Sequence, residues 1–142
     1  MELQVGVKIL LRNREGRYLI LRRSSAKYPE VSDRWDIAGG RIIPGTALLA
    51  NLAREVSEET QLEIVGPPIL LAAQDIIREK NGSSRHVVRL TYGGEANGTP
   101  VLDDENDAYA WLSMQEIRDM PEGDLDKYFR ELLESGLLDG QS

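Results

Sequence analysis

Three glutamates, Glu55, Glu58 and Glu59, fall within the stretch "REVSEET", Arg54 to Thr60. Residues three and four apart are neighbours on a helix, so Glu55 meets Glu58 and Glu59 and the like charges repel. The cluster lies near the C-terminal end of the helix expected here, where the macrodipole disfavours negative charge further. A solvated acidic face, with Arg54 four residues before Glu58 as partial compensation, is one reading. A divalent cation is the other. Oxygen ligands converging on Mg²⁺ or Mn²⁺ turn the repulsion into coordination. The glycine-containing loop just upstream, "GGRIIPG", has no obvious structural reason for its flexibility and adds to the second reading.

Composition removes several other chemistries. The chain has 142 residues, no cysteine, a single histidine (His86) and a net charge of −7. Disulfides, thiolate zinc sites and cysteine nucleophiles are therefore excluded, and so is a His-rich metal site. The negative charge argues against nonspecific binding to nucleic acid or an anionic membrane. The N-terminal "MELQVGVKILLRN" carries Glu2, Lys8 and Arg12 with no long apolar run, so neither a signal peptide nor a membrane span is expected. A cytoplasmic protein forming one domain over residues 1–142 is the default, as a monomer or homodimer.

The elements that must hold the glutamates can be read from patterning. "VGVKILLRN" and Tyr18–Arg23 read as a hairpin turning at Gly16. A polar loop follows from Ser24 to Asp33, then the short extended "RWDIAGGRIIPG". From Thr46, a candidate N-cap, the pattern is helical, with Leu49, Leu52, Ala53 and Val56 as the expected buried stripe. Pro67-Pro68 should interrupt the chain, after which "ILLAAQDIIRE" and "RHVVRLTYGG" read as strands joined by "KNGSS". "DAYAWLSMQEI" is a strand entering a helix, with Ser113 and Glu116 placed for a capping box. The last helix puts Leu125, Phe129, Leu132 and Leu133 on one face and stops at Gly136. The fold class is α/β, with strands packed between helices.

With these residues in place, "GGRIIPGTALLANLAREVSEETQLEI" resembles the Nudix box, G-x5-E-x7-R-E-U-x-E-E-x-G-U, where U is a bulky aliphatic. Gly40, Arg54, Glu55, Val56, Glu58, Glu59 and Leu62 match in register, while Thr46 replaces a glutamate and Gln61 a glycine. Outside the box, Ile43 replaces a frequent glutamate and Ala38 a frequent proline. "RWDIAGG" resembles the family's tryptophan and double-glycine approach, and Glu105 precedes Trp111 by the usual six residues. The resemblance implies a Nudix-type α/β/α sandwich with a mixed central sheet. It implies a Mg²⁺- or Mn²⁺-dependent hydrolase that cleaves a phosphoanhydride in a nucleoside diphosphate-linked small molecule.

By the same resemblance, Glu55, Glu58, Glu59 and the Gly39 carbonyl would hold the metal, and Arg54 would orient the carboxylates. The general base would be Glu55, or Glu105 in the acidic loop "LDDEND", with Glu55 slightly favoured. Arg22, Arg23 and Arg41 are candidates to clamp phosphates, and Tyr28 and Trp35 to stack on a base, although a tryptophan there is as often core. His86 reads as structural. No proline or tyrosine marks the stretch "IIREKN" where some subfamilies carry one, which leaves (d)NTP or nucleotide-sugar substrates. The alternative is a Nudix-fold nucleotide-binding or regulatory module with little turnover.

Overall fold

The computed structural model describes residues 1–140, except for the side chain of Lys80. The first two strands, β1 (Glu2–Arg12) and β2 (Tyr18–Arg23), are rich in apolar residues on both sides. Val7, Ile9, Leu10 and Leu11 of β1 and all of Tyr18–Leu21 in β2 are buried. A strand that is apolar without alternation needs cover on both faces of its sheet, and helices supply it here.

β1 pairs along its whole length with the parallel strand β6 (Ser83–Glu95). Its other edge is shared. The predicted hairpin forms only at Arg12↔Tyr18, and β4 (Ala38–Arg41) pairs antiparallel with Gly6–Ile9 of β1. β2 instead pairs with β3 (Trp35–Asp36) and β7 (Asn106–Leu112). The seven-stranded sheet is therefore forked, and the segment from Trp35 to Arg41 crosses from the β2 arm to the β1 arm. β5 (Val65–Lys80) closes the far edge against β6. Pro67-Pro68 does not break the chain as expected. Both prolines lie inside β5, between Val65 and Ile69 where the register shifts, on an edge strand that can spare their missing donors. The β5–β6 turn is Asn81-Gly82, both with positive φ, as a two-residue hairpin loop requires.

Helix α1 (Leu48–Thr60) covers one face, with Leu52 and Val56 packed among Val7, Ile9, Leu11, Leu19 and Leu21. The expected stripe is rotated. Leu49 and Ala53 are exposed, and the buried face instead runs through Asn51, Leu52, Val56, Glu59 and Thr60. The helix rolls toward the glycine segment and carries Glu59 under the sheet. Its N-cap is Ala47, without a side-chain cap; Thr46 closes a turn by donating its N–H to Ile43 O, with Pro44-Gly45 at the turn centre. The opposite face is covered by α2 (Met114–Arg118), which has the predicted capping box, and α3 (Lys127–Ser135), capped by Asp126. Phe129, Leu132 and Leu133 pack there with Leu10, Tyr18 and Ile20, giving the α/β/α layering.

Candidate active site

Two glycines fix how the crossing segment approaches β1 and α1. Gly39 has φ 133°, and a Cβ there would lie 2.0 Å from Val7 O. No side chain fits. A Cβ on Gly40 would lie 2.9 Å from the Glu55 carboxylate, so the backbone at Gly40 forms one wall of a cradle whose other wall is that carboxylate. Asn51, fully buried, ties this segment to the helix: its Oδ1 accepts from Ile43 N (3.1 Å) and its Nδ2 donates to Arg41 O (3.3 Å).

Arg54 then gathers the acids. Its Nη1 donates to both Glu58 oxygens (3.1 and 3.0 Å), and its Nη2 donates to Glu55 Oε1 (3.0 Å) and Asn51 Oδ1 (3.1 Å). Glu59 is buried and accepts from Gly39 N at 3.1 Å. Burial pushes its carboxyl up to about 7 despite the nearby Lys8 charge and the Gly39 hydrogen bond, and Glu55 and Asp103 add to the rise. A buried carboxyl with that affinity for a proton is a place for positive charge.

Gly39, Gly40, Glu55, Glu58 and Glu59 line a cleft of about 850 Å³ at the fork of the sheet. Glu105 joins them from the loop before β7. Its Oε1 accepts from Lys27 Nζ at 2.8 Å and its Oε2 from the Tyr28 hydroxyl, and the Lys27 bond is the main reason its carboxyl is held below the usual range. Tyr28 is thus a support for Glu105, with the Arg23 guanidinium 4.9 Å from its ring centre. The open stacking surface expected of Tyr28 is taken.

Of the four proposed substrate contacts, Arg23 and Arg41 line the cleft, and Arg22 and Trp35 do not. Strand alternation is the reason: Leu21 and Arg23 face the cleft, and Arg22 between them points away, binding Asp107 Oδ1 at 2.6 Å. Trp35 packs against the α2/α3 core with the Arg22 guanidinium 5.7 Å from its ring centre. Arg41 reaches the cleft from the other side of the sheet, because it follows Gly40 by one residue; a Cβ on Gly6 would meet Arg41 Cδ at 3.8 Å. His86 pairs with Asp75 Oδ1 across the β5–β6 hairpin at 2.7 Å, in keeping with a structural role.

Sequence reasoning missed a charged set beneath the cleft. Arg89 binds Asp36 (2.9 and 3.2 Å) and Asp126 (3.1 Å), and Lys8 binds Asp36 at 3.3 Å. Burial alone would raise Asp36, but Arg89 and Lys8 outweigh it and hold the carboxyl at about 2. Lys8 Nζ also donates to Ile37 O (3.2 Å) and, weakly, to Gly39 O (3.5 Å). The available signal was a lone charge inside each of two apolar strands, "VKIL" and "VVRL", a pattern more often found when the charge is paired and buried.

The donor set suits a hard divalent cation. Glu55, Glu58, Glu59 and a glycine carbonyl offer only oxygen, the Gly40 cradle is too tight for a side chain, and Glu59 is a buried acid in need of a cation. Among the described residues, no three of these groups already converge as a metal site. Arg54 holds Glu55 and Glu58, and Glu59 is turned to Gly39.

A family model described as the NUDIX domain matches residues 2–133. The chain belongs to the Nudix family. Members of this family generally use a divalent metal. Over 92 residues the chain is 29% identical to a Mycobacterium tuberculosis protein provisionally named 8-oxo-dGTP diphosphatase 2; the match covers 65% of this chain and 62% of that protein. The crystal structure of a MutT protein from Methanosarcina mazei Go1 superposes with a TM-score of 0.78 at 28% identity, covering 99% of this chain and 97% of that one. The solution structure of the E. coli ORF135 protein, at 24% identity and a TM-score of 0.73, covers 98% and 92% and shares the fold. No helix among the described residues is long and apolar enough to cross a membrane.

Proposed function

We propose that this member of the Nudix family is a hydrolase that cleaves the phosphoanhydride of a (d)NTP or nucleotide-sugar substrate with Mg²⁺ or Mn²⁺ as cofactor. The observation that carries the reading is the convergence of Glu55, Glu58, Glu59 and Glu105 with Arg23 in one cleft beside the Gly39-Gly40 segment. Without a cation, so acidic a wall would repel a polyanion. Glu55, Glu58, Glu59 and the Gly39 carbonyl would hold the metal, which when bound neutralises phosphoryl oxygens and acidifies a water. The name of the M. tuberculosis relative makes purine deoxynucleoside triphosphates the first class to assay.

This chain's residues divide the remaining work. Arg54 fixes Glu55 and Glu58 in position, and Asn51 fixes Arg54 relative to the glycine segment. Arg23 presents a guanidinium to the phosphates. Glu55 takes the proton from the attacking water, since Arg54 engages only its Oε1. Glu105 is the poorer base, because Lys27 and Tyr28 occupy both its oxygens and lower its proton affinity. Hydrolysis rates at saturating metal test the assignment. Glu55→Gln should lower kcat by at least about 100-fold, in the range of general-base loss, and Glu105→Gln by less than about tenfold. The reverse order would move the base to Glu105.

A further inference from the structure

The cleft has a second charged wall that the glutamate site does not use. Arg41 of β4, which lies over Gly6 on β1, and Arg78 of β5 line it, and Arg85 of β6, outside the lining, is the direct cross-strand partner of Arg78. Like charges placed directly opposite on a sheet destabilise it. Carboxylates are plentiful here, 24 against 17 basic residues, yet among the described residues none of these three arginines has a carboxylate within salt-bridge distance. Arg41 binds the neutral Gln4, and Arg78 Nε donates to the Tyr128 hydroxyl at 3.2 Å with its guanidinium 5.2 Å from that ring's centre. Burial lowers the Arg41 guanidinium's proton affinity; Arg85, Arg78 and Arg23 lower it further, and Glu2, the cross-strand partner of Arg85 on β1, opposes them.

We propose that Arg41, Arg78 and Arg85 form an anion subsite for a phosphate group of the substrate that is not bound at the glutamate wall. Gly40 faces Glu55, and Arg41, the next residue along the strand, faces the other way, so the two charged groups form separate walls of the cleft. Guanidinium groups bind phosphate in a bidentate manner, and an anion at this point removes the repulsion among the three charges. The proposal rests on reading the cleft as a nucleotide site and deepens it. Two sources fit the chemistry: the terminal phosphate of a triphosphate, and a phosphomonoester carried on a sugar.

The test separates this subsite from catalysis. Inorganic phosphate is titrated into the full chain in EDTA, and backbone amide shifts are followed for wild type, the Arg78→Gln/Arg85→Gln double variant and Glu58→Gln. Wild type and Glu58→Gln should show shifts centred on residues 41, 78 and 85, and the double variant should bind at least about tenfold more weakly. The double variant's melting temperature, expected at or above that of wild type, reports that it is folded. With metal restored, kcat/KM is compared for dGTP against dGDP and for NADPH against NADH, which differ by one ribose phosphate. A preference for the more phosphorylated member of either pair that falls at least about fivefold in the double variant supports the subsite and names its source. Shifts elsewhere, equal phosphate affinity in the double variant, or unchanged preferences in both pairs would overturn it, whatever the hydrolysis rate of the wild type. Loss of hydrolysis in Glu58→Gln alone bears on the glutamate wall and not on this subsite.

Discussion

At the scale of single residues, the site is organised by what each carboxylate is denied. Glu58 and Glu55 share one arginine, and Glu59 has only a backbone N–H in a buried position. Its raised proton affinity has a consequence for stability. A carboxyl with a folded-state pKa of about 7 against an ordinary 4.5 favours the folded state most when it is protonated. In metal-free protein this stability is present below about pH 4.5 and is lost as the pH rises through 7, by on the order of 2–3 kcal/mol. Thermal melts in EDTA from pH 5 to 8 should therefore show wild type losing ground to Glu59→Gln as pH rises. Parallel curves for the two proteins would mean that Glu59 is not a strained acid.

At the scale of elements, the glutamate spacing and the match to the box were enough to predict the helix, its register in the sequence and the nearby glycine segment. The rotation of that helix was not legible. Leu49 and Ala53 fit a 3.6-residue stripe as well as Thr60 does, and only the docking of α1 against the crossing segment decides which face is covered. The β1–β2 fork was also hidden, because a hairpin and a forked pair have the same local pattern and differ only in which strand takes the other edge. Arg22 and Arg23 were indistinguishable by composition, and strand alternation separated them. The exit of α1 turns on one substitution: Gln61, standing where the family has glycine, adopts φ 59° and ψ 18°. That conformation disfavours a residue with a Cβ. Gln61→Gly should raise stability by about 1 kcal/mol in denaturant melts, with activity unchanged; a loss of stability would show that the Gln61 side chain contributes more than its backbone costs.

At the scale of the whole molecule, a sheet buried on both faces supports a cleft whose floor carries the Arg89–Asp36–Asp126 set. The cleft walls have opposite sign, glutamates on α1 and Arg41 and Arg78 on the sheet, although the chain as a whole is acidic. Cation binding at the glutamate wall should couple to folding, since a ligand that binds only the native state stabilises it by mass action. At metal concentrations about 100-fold above Kd the gain is about 2.7 kcal/mol. Mg²⁺ or Mn²⁺ should accordingly raise the melting temperature of wild type by several degrees and that of Glu58→Gln by clearly less. Equal shifts in the two proteins would place the bound cation elsewhere.

The most direct test of the central claim is phosphate or pyrophosphate release from a panel of purine and pyrimidine (d)NTPs and nucleotide sugars. Wild type and Glu58→Gln would be assayed with millimolar Mg²⁺ or Mn²⁺ and again in EDTA. Metal-dependent hydrolysis of at least one substrate by wild type, abolished by EDTA and lowered at least about 100-fold in Glu58→Gln, is the result predicted here. Activity that survives EDTA or the loss of Glu58, or a wild type that binds nucleotide yet turns over none of the panel, would contradict it.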